Sequence, residues 1–303
     1  MRFTPVRIGW IGLLLVAGTA PAPAQTTLRY KFKEGEKLHY VLEQKMTMKM
    51  KVQDQDLTME MVQTFDQSWN ITSVDKDGNA TMTQKFDRVR FKMDNPLGKI
   101  DYDSKDGKLP EGQLGELLGP LFKALTGLEV GLTMDPRGEV KNLKIPENFL
   151  KTLKNMPGAA AFQGMFSEEG LKQMMSQGGL ILPKQPVNKD DTWETKTTVK
   201  LPFGKVNTII VYKYEGPTTR DGKKLEQIGV KLQTKLEDDP KTAVSMKLKE
   251  DDSKGTSYFD NAAGRLVETR LVSSMAMEVT AGGQTLTQKI EQTVTLKLQG
   301  QGE

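Results

Sequence analysis

From Leu28 to Tyr102 apolar and polar residues alternate at a period of two over runs far longer than an ordinary strand. That alternation constrains the fold more than any other feature of the chain. Leu38, Tyr40, Leu42, Met46, Met48, Met50 and Val52 share one phase, interrupted only by Gln44. His39, Glu43, Lys45, Thr47, Lys49 and Lys51 share the other. Successive side chains of a strand point to opposite faces, so this run reads as an antiparallel strand with one buried face. Leu57, Met59, Met61, Phe65, Trp69 and Ile71 repeat the phase. With Asp54-Gln55 as a two-residue turn, Met50 faces Met59, Met48 faces Met61 and Tyr40 faces Trp69, so the pair forms a long hairpin. Asp77-Gly78 marks the next turn. The shift from Ala80, Met82 and Phe86 to Val89, Phe91 and Met93 then places a β-bulge near Asp87-Arg88.

The middle of the chain changes period. Leu114, Leu117, Leu118, Leu121, Phe122 and Leu125 follow amphipathic helical spacing, with Gly119-Pro120 expected to kink or split the helix. Pro146 opens a second helix with Phe149, Leu150, Leu153 and Met156 inward, and Ser167 caps a third carrying Leu171, Met174 and Met175. From Trp193 strands return to Leu298. Among them Val244 to Leu248 and Thr256 to Asp260 read as separate, and Asp238-Asp239 and Asp251-Asp252 as solvated turns. The expected fold is α+β: a long, strongly curved antiparallel sheet, or half-barrel, cupped over short mid-chain helices. Residues 25–303 read as one β-rich domain, with two related β halves (25–145 and 183–303) joined by a helical segment, 146–182.

Residues 1–24 read as a signal peptide: Arg2 and Arg7 precede an apolar run from Ile8 to Ala17, and Ala22-Pro23-Ala24 supplies small residues for cleavage. The run is shorter than the ~20 residues that span a bilayer, and no later segment is apolar enough for a transmembrane helix. The chain has no Cys, which excludes disulfides, thiol chemistry and lipid anchoring through Cys. An exported protein, periplasmic or extracellular, follows as the expectation. With 43 basic and 39 acidic residues, and two of the basic ones in the leader, the field is too weak to argue for nucleic acid. Oligomeric state is not set by the sequence.

Catalytic chemistry finds little support. His39 is the sole imidazole, and Gly255-Thr256-Ser257-Tyr258-Phe259 lacks the second glycine of a nucleophile elbow. Asp75-Lys76-Asp77-Gly78-Asn79 starts like a calcium loop, but Ala80 and Phe86 stand where glycine and glutamate are required, so it reads as a hairpin turn. No catalytic residue, metal ligand or cofactor is assigned. Methionine is the conspicuous feature: among the 16, Met46, Met48 and Met50, Met59 and Met61, and Met275 and Met277 stand at strand spacing on one face. Thioethers suit adaptable core packing, a pliable apolar pocket, or Cu(I). The reading carried forward is a non-enzymatic half-barrel that binds lipid or another apolar small molecule, with Met46, Met48, Met50, Met59, Met61, Leu117, Leu121 and Phe122 as its walls. The alternative is a structural or interaction module of the cell envelope with a fully packed core.

Three segments carry a resemblance: Leu28-Arg29-Tyr30-Lys31-Phe32 with Gly35-Glu36, Pro186 to Trp193, and Gly255 with Tyr258-Phe259-Asp260 and Gly264-Arg265-Leu266. They resemble an uncharacterised family of secreted bacterial proteins, in which glycine is expected where Asp190 stands. These motifs are turns and strand starts, so the resemblance implies no catalytic residue. In element order the chain is also similar to periplasmic lipoprotein carriers and lipid-binding lipoproteins, which implies a half-barrel holding an apolar ligand against internal helices.

Overall fold

The computed structural model describes residues 25–300 apart from 53–54, 97, 156–178, 202–203, 240–241, 243 and 282. The expected leader and the helix expected after Ser167 therefore lie outside the described residues. The first half of the chain gives β1 (Lys37–Val52), β2 (Gln55–Val74), β3 (Ala80–Asn95), β4 (Gly98–Asp103), helix α1 (Gly112–Leu125), β5 (Glu129–Met134), β6 (Val140–Lys144) and helix α2 (Glu147–Asn155). The second half gives β7 (Thr192–Leu201), β8 (Gly204–Arg220), β9 (Lys223–Asp238), β10 (Val244–Asp260), β11 (Arg265–Ala281) and β12 (Gln284–Leu298).

All twelve strands form one antiparallel sheet in the order β6-β5-β3-β2-β1-β12-β11-β10-β9-β8-β7, with β4 paired to β3. Each half of the chain is a contiguous part of it, and β1 pairs β12 at the seam. The sheet is open and curved over the helices, as the period-two pattern and the scarcity of helix required. At one end the two margins share a core. There, Met134 and Val140 near one margin and Tyr212 and Tyr214 near the other belong to a single buried cluster, together with Leu38, Tyr40, Trp69, Ile228, Phe259 and Leu266.

The quoted family-like segments close this end. Thr26 bridges Val187, the Tyr30 amide donates to the Pro136 carbonyl at 2.8 Å, and the Lys31 amide donates to Gly264 at 2.9 Å. Tyr30 packs edge-on against Phe259 at 5.2 Å, and Arg265 pairs with Glu36. Arg29 donates to the carbonyls of Pro183 and Lys184 at 2.8 and 2.6 Å, and Trp193 Nε1 donates to Ile181 at 2.7 Å. These bonds tie both margins of the sheet to residues 26–32 and 180–187. Asp190 has a φ of 74°, the left-handed conformation glycine favours, and its carboxylate holds Lys213 at 2.7 Å.

The β1–β2 hairpin keeps the expected faces but not the expected register. Met48 lies opposite Met59, Met46 opposite Met61, and Leu38 opposite Trp69, two residues away from the pairing expected from an Asp54-Gln55 turn. A two-residue slip leaves every side chain on its own face, so the apolar pattern cannot detect it. Val52 pairs Gln55, which moves the connection to residues 53–54, outside the described residues. The bulge falls where the phase shift put it: Asp66 pairs Arg88, Gln67 pairs Phe86, and Asp87 is the extra residue.

Strand β10 corrects a second expectation. Val244 to Asp260 is one strand with a register shift between Leu248 and Glu250, and Asp251-Asp252 lies inside it rather than in a turn. Asp251 has a structural task there. Strands β9 and β10 pair only from Glu226–Phe259 to Leu232–Ser253, and just beyond that point the Thr234 amide donates to the Asp251 carboxylate at 2.7 Å. A side chain thus satisfies a backbone donor where the ladder parts.

Candidate apolar ligand cavity

Helix α1 runs unbroken through Pro120 rather than splitting. Gly115 fits against Pro110, where an added Cβ would lie 2.0 Å from the Pro110 oxygen. Thr126 closes the helix with bonds from both its amide and its hydroxyl to the Phe122 carbonyl, and Tyr102 reaches the same hydroxyl at 3.0 Å. Phe122 is buried, stacked on Tyr102 at 4.7 Å and tilted against Phe91 at 5.0 Å. Leu121 and Leu125 meet Phe149 and Leu153 of α2, which starts from Pro146 as the sequence indicated.

Between the two helices and the inner face of β1–β6 lies a hollow of about 270 Å³. Leu121, Leu125, Phe149 and Leu153 form its helical side, and Leu42, Phe65, Trp69, Phe86, Val130, Leu132, Met134, Val140 and Leu296 its sheet side. Four glutamines interrupt the apolar lining: Gln44, Gln63, Gln67 and Gln84. Among the described residues that line it, none is charged.

Of the eight residues the sequence proposed as walls, Leu121 alone among them lines this hollow. Met46, Met48, Met50, Met59 and Met61 lie on the same inner face but farther along β1 and β2, and all five are half-buried. Met59 and Met61 pack against the cluster of Val89, Phe91, Met93, Ile100, Tyr102 and Phe122. Leu117 is 36% exposed and faces away from the hollow. The 14-residue helix carries a wider apolar stripe than the sheet can cover, and Leu117 falls on the uncovered margin. Sequence reasoning passed over the glutamines and the α2, β5 and β6 contributions. The available signal was a polar residue recurring at an inward phase: Gln44 on β1, Gln63 and Gln67 on β2, and Gln84 on β3.

His39 lies on the outer face, half-buried, with Ser68 directly opposite on β2. Ser68 Oγ donates to the Asp87 carboxylate and lies 3.2 Å from His39 Nδ1, which makes that nitrogen the donor to Ser68. In a nucleophilic triad the histidine accepts the serine proton and the carboxylate holds the histidine. Here the serine sits between the two and is 1% exposed, an arrangement that fastens the bulge rather than activating an oxygen. Asp75 accepts from the amides of Asp77 and Asn79 at 2.9 Å and from the Asn79 side chain at 2.8 Å, so it closes a hairpin turn, and these donors hold its carboxyl below the usual range. Among the described residues no group of three or more metal-binding side chains converges, and no helix is long and apolar enough to cross a membrane.

Fold and hollow together define a curved β-cradle closed at one end, with a neutral apolar chamber under two helices. The chain belongs to a family of unknown function, DUF6263, whose model matches residues 77–264. No curated protein matches it. Among solved structures it is similar to lipovitellin, in a structure titled for lipid–protein interactions, at 14% identity and a TM-score of 0.47. That likeness covers 89% of this chain and 26% of the other, so the chain spans about a quarter of its length. It is also similar to an outer membrane channel from Pseudomonas putida F1, at 8% identity and a TM-score of 0.25, over 92% of this chain and 99% of that one. Neither likeness is close enough to transfer a ligand.

Proposed function

We propose that this protein is an exported, non-enzymatic binding protein that holds a hydrophobic ligand such as a lipid between its curved sheet and its helices. The observation that supports this reading is the hollow itself: about 270 Å³ lined by leucine, valine, phenylalanine, isoleucine and methionine side chains, close to the ~300 Å³ at which small-molecule sites begin. Interiors are otherwise packed to crystal-like density, and a solid structural module has no need of such a space. The half-buried methionine face continues the inner surface past Gln44 and Gln63, and serves as a pliable rim for parts of a ligand that extend beyond the hollow. Export rests on the leader-like residues 1–24.

Native mass spectrometry of protein purified without detergent, followed by solvent extraction, is expected to show a co-purifying apolar molecule. The neutral dye N-phenyl-1-naphthylamine is expected to bind with enhanced emission and to be displaced by lipid. A protein that carries no such molecule and does not enhance the dye is a solid structural module. N-terminal sequencing of the exported protein is expected to start at Gln25, and a mature chain that retains Met1 would overturn the leader assignment.

A further inference from the structure

The four glutamines are costly residues to place in an apolar hollow, and their hydrogen bonds are incomplete. Gln44 and Gln63 are direct cross-strand partners, and Gln63 Nε2 donates to Gln44 Oε1. Gln84 Nε2 donates to Gln67 Oε1, which Trp69 Nε1 also approaches at 3.5 Å. Gln67 and Gln84 are each 4% exposed. Each carboxamide has two N–H donors and an oxygen that accepts twice, so the one bond within each pair leaves most of its capacity unused. Gln67 Nε2 and Gln44 Nε2 are left as donors, and Gln84 Oε1 and Gln63 Oε1 as acceptors, with no protein partner among the described residues. All four side chains line the hollow. None of these four atoms is among the fully shielded side-chain atoms that lack a partner, so they remain open to the hollow, and water or a bound molecule there supplies their hydrogen bonds.

On the reading that the hollow binds an apolar ligand, we infer that its occupant is a neutral acyl compound, an ester or amide. Its carbonyl accepts from the free glutamine amides, and its hydroxyl or N–H donates to the free glutamine oxygens. The hydrocarbon tail runs along Leu121, Leu125, Phe149 and Leu153. A plain alkane leaves the carboxamides unpaired. An ionised fatty acid brings a charge into a space where no described lining residue is charged, and an unpaired buried charge is the most unfavourable occupant of all. The glutamine array therefore selects for a carbonyl and against a carboxylate.

The test uses the purified full chain with N-phenyl-1-naphthylamine bound, displaced at neutral pH by 1-monolauroylglycerol, lauramide, laurate or dodecane. The ester and the amide are expected to displace at concentrations at least about tenfold below those needed for laurate and dodecane, the worth of one or two added hydrogen bonds. Replacing one pair together (Gln44→Leu with Gln63→Leu) strips neither glutamine of its mate, leaves the Gln67–Gln84 pair in place, and is expected to narrow the ester-over-dodecane ratio to within about threefold. Laurate or dodecane competing as well as the ester overturns the acyl assignment and leaves the carrier reading intact. Failure of the unmodified protein to bind the dye at all overturns both. The comparison among ligands on the unmodified protein decides the matter even where the double variant does not fold.

Discussion

Filling the hollow tests the reading most directly. A cavity of about 270 Å³, at ~24 cal/mol per Å³, corresponds to about 6 kcal/mol of packing left unused. That is as large as the whole net stability of many domains, roughly 5–15 kcal/mol. Leu121 and Leu125 both border the space and are half-buried. Enlarging both to Phe adds several carbons to the lining, each worth ~0.8 kcal/mol when buried, while imperfect fit takes back ~1–3 kcal/mol. The Leu121→Phe, Leu125→Phe variant is therefore expected to be more stable than the parent by about 2–4 kcal/mol in the absence of ligand. The assay is equilibrium urea unfolding followed by fluorescence, with Trp69 reporting from the wall of the hollow. Saturating ligand stabilises the parent, by ~2.7 kcal/mol at a hundred times Kd, and leaves the filled variant unchanged. A variant less stable than the parent that binds dye as before would show that the space is not where ligand goes.

Four tyrosines, Tyr30, Tyr40, Tyr212 and Tyr214, have hydroxyls pushed above the ordinary range by burial, with Tyr214 raised to about 12 and its hydroxyl donating to Glu226 at 2.5 Å. Folded values above the unfolded ~10 mean that their contribution is whole below about pH 10 and lost as pH climbs toward the folded values, so phenolate absorbance and loss of circular dichroism are expected to rise together; early, gradual ionisation of all six tyrosines in folded protein contradicts this. Gly264→Ala sets a Cβ 2.4 Å from Lys31 Cβ and 2.5 Å from its amide nitrogen at a φ of 67°, and is expected to cost about 3 kcal/mol by urea melt. Gly222→Ala, at a φ of 75° with open space around it, is the control at ~1 kcal/mol, and equal costs would show that the closed end is not tightly seated. Met82→Lys buries a charge at a site 1% exposed and is expected to cost ~4 kcal/mol or more, whereas half-buried Met48→Lys can reach water and costs ~1 kcal/mol; equal losses would contradict the placement of the methionine face.

What the sequence revealed follows from what period two can encode. The faces of β1, β2 and β3, the bulge at Asp87 and the inward side of α2 each change the apolar phase, so each was legible. Hairpin register was not, because Met48 faces inward whether it pairs Met59 or Met61. Asp251 read as a turn because acidic residues usually are solvated; only the parting of β9 from β10 creates the backbone donor that it accepts. The hollow lies apart from the methionine face for a similar reason. Apolar residues announce a face, but the position of a void along that face depends on where α1 and α2 stop short of the sheet. Gln44 looked like a blemish in an apolar run until Gln63, Gln67 and Gln84 gathered around it.

The seam between β1 and β12 has a consequence for how the chain comes to be folded. Tyr40 stands opposite Leu298, so the first long strand to be made waits for the last before the centre of the sheet exists. Until then each six-strand half carries a bare central edge, with a full row of amides and carbonyls able to pair with another molecule. Such a topology, dominated by distant partners, folds slowly and spends its incomplete stages open to aggregation. Holding the unfinished chain apart from its copies, during synthesis and any later transit, is thus a requirement written into the strand order.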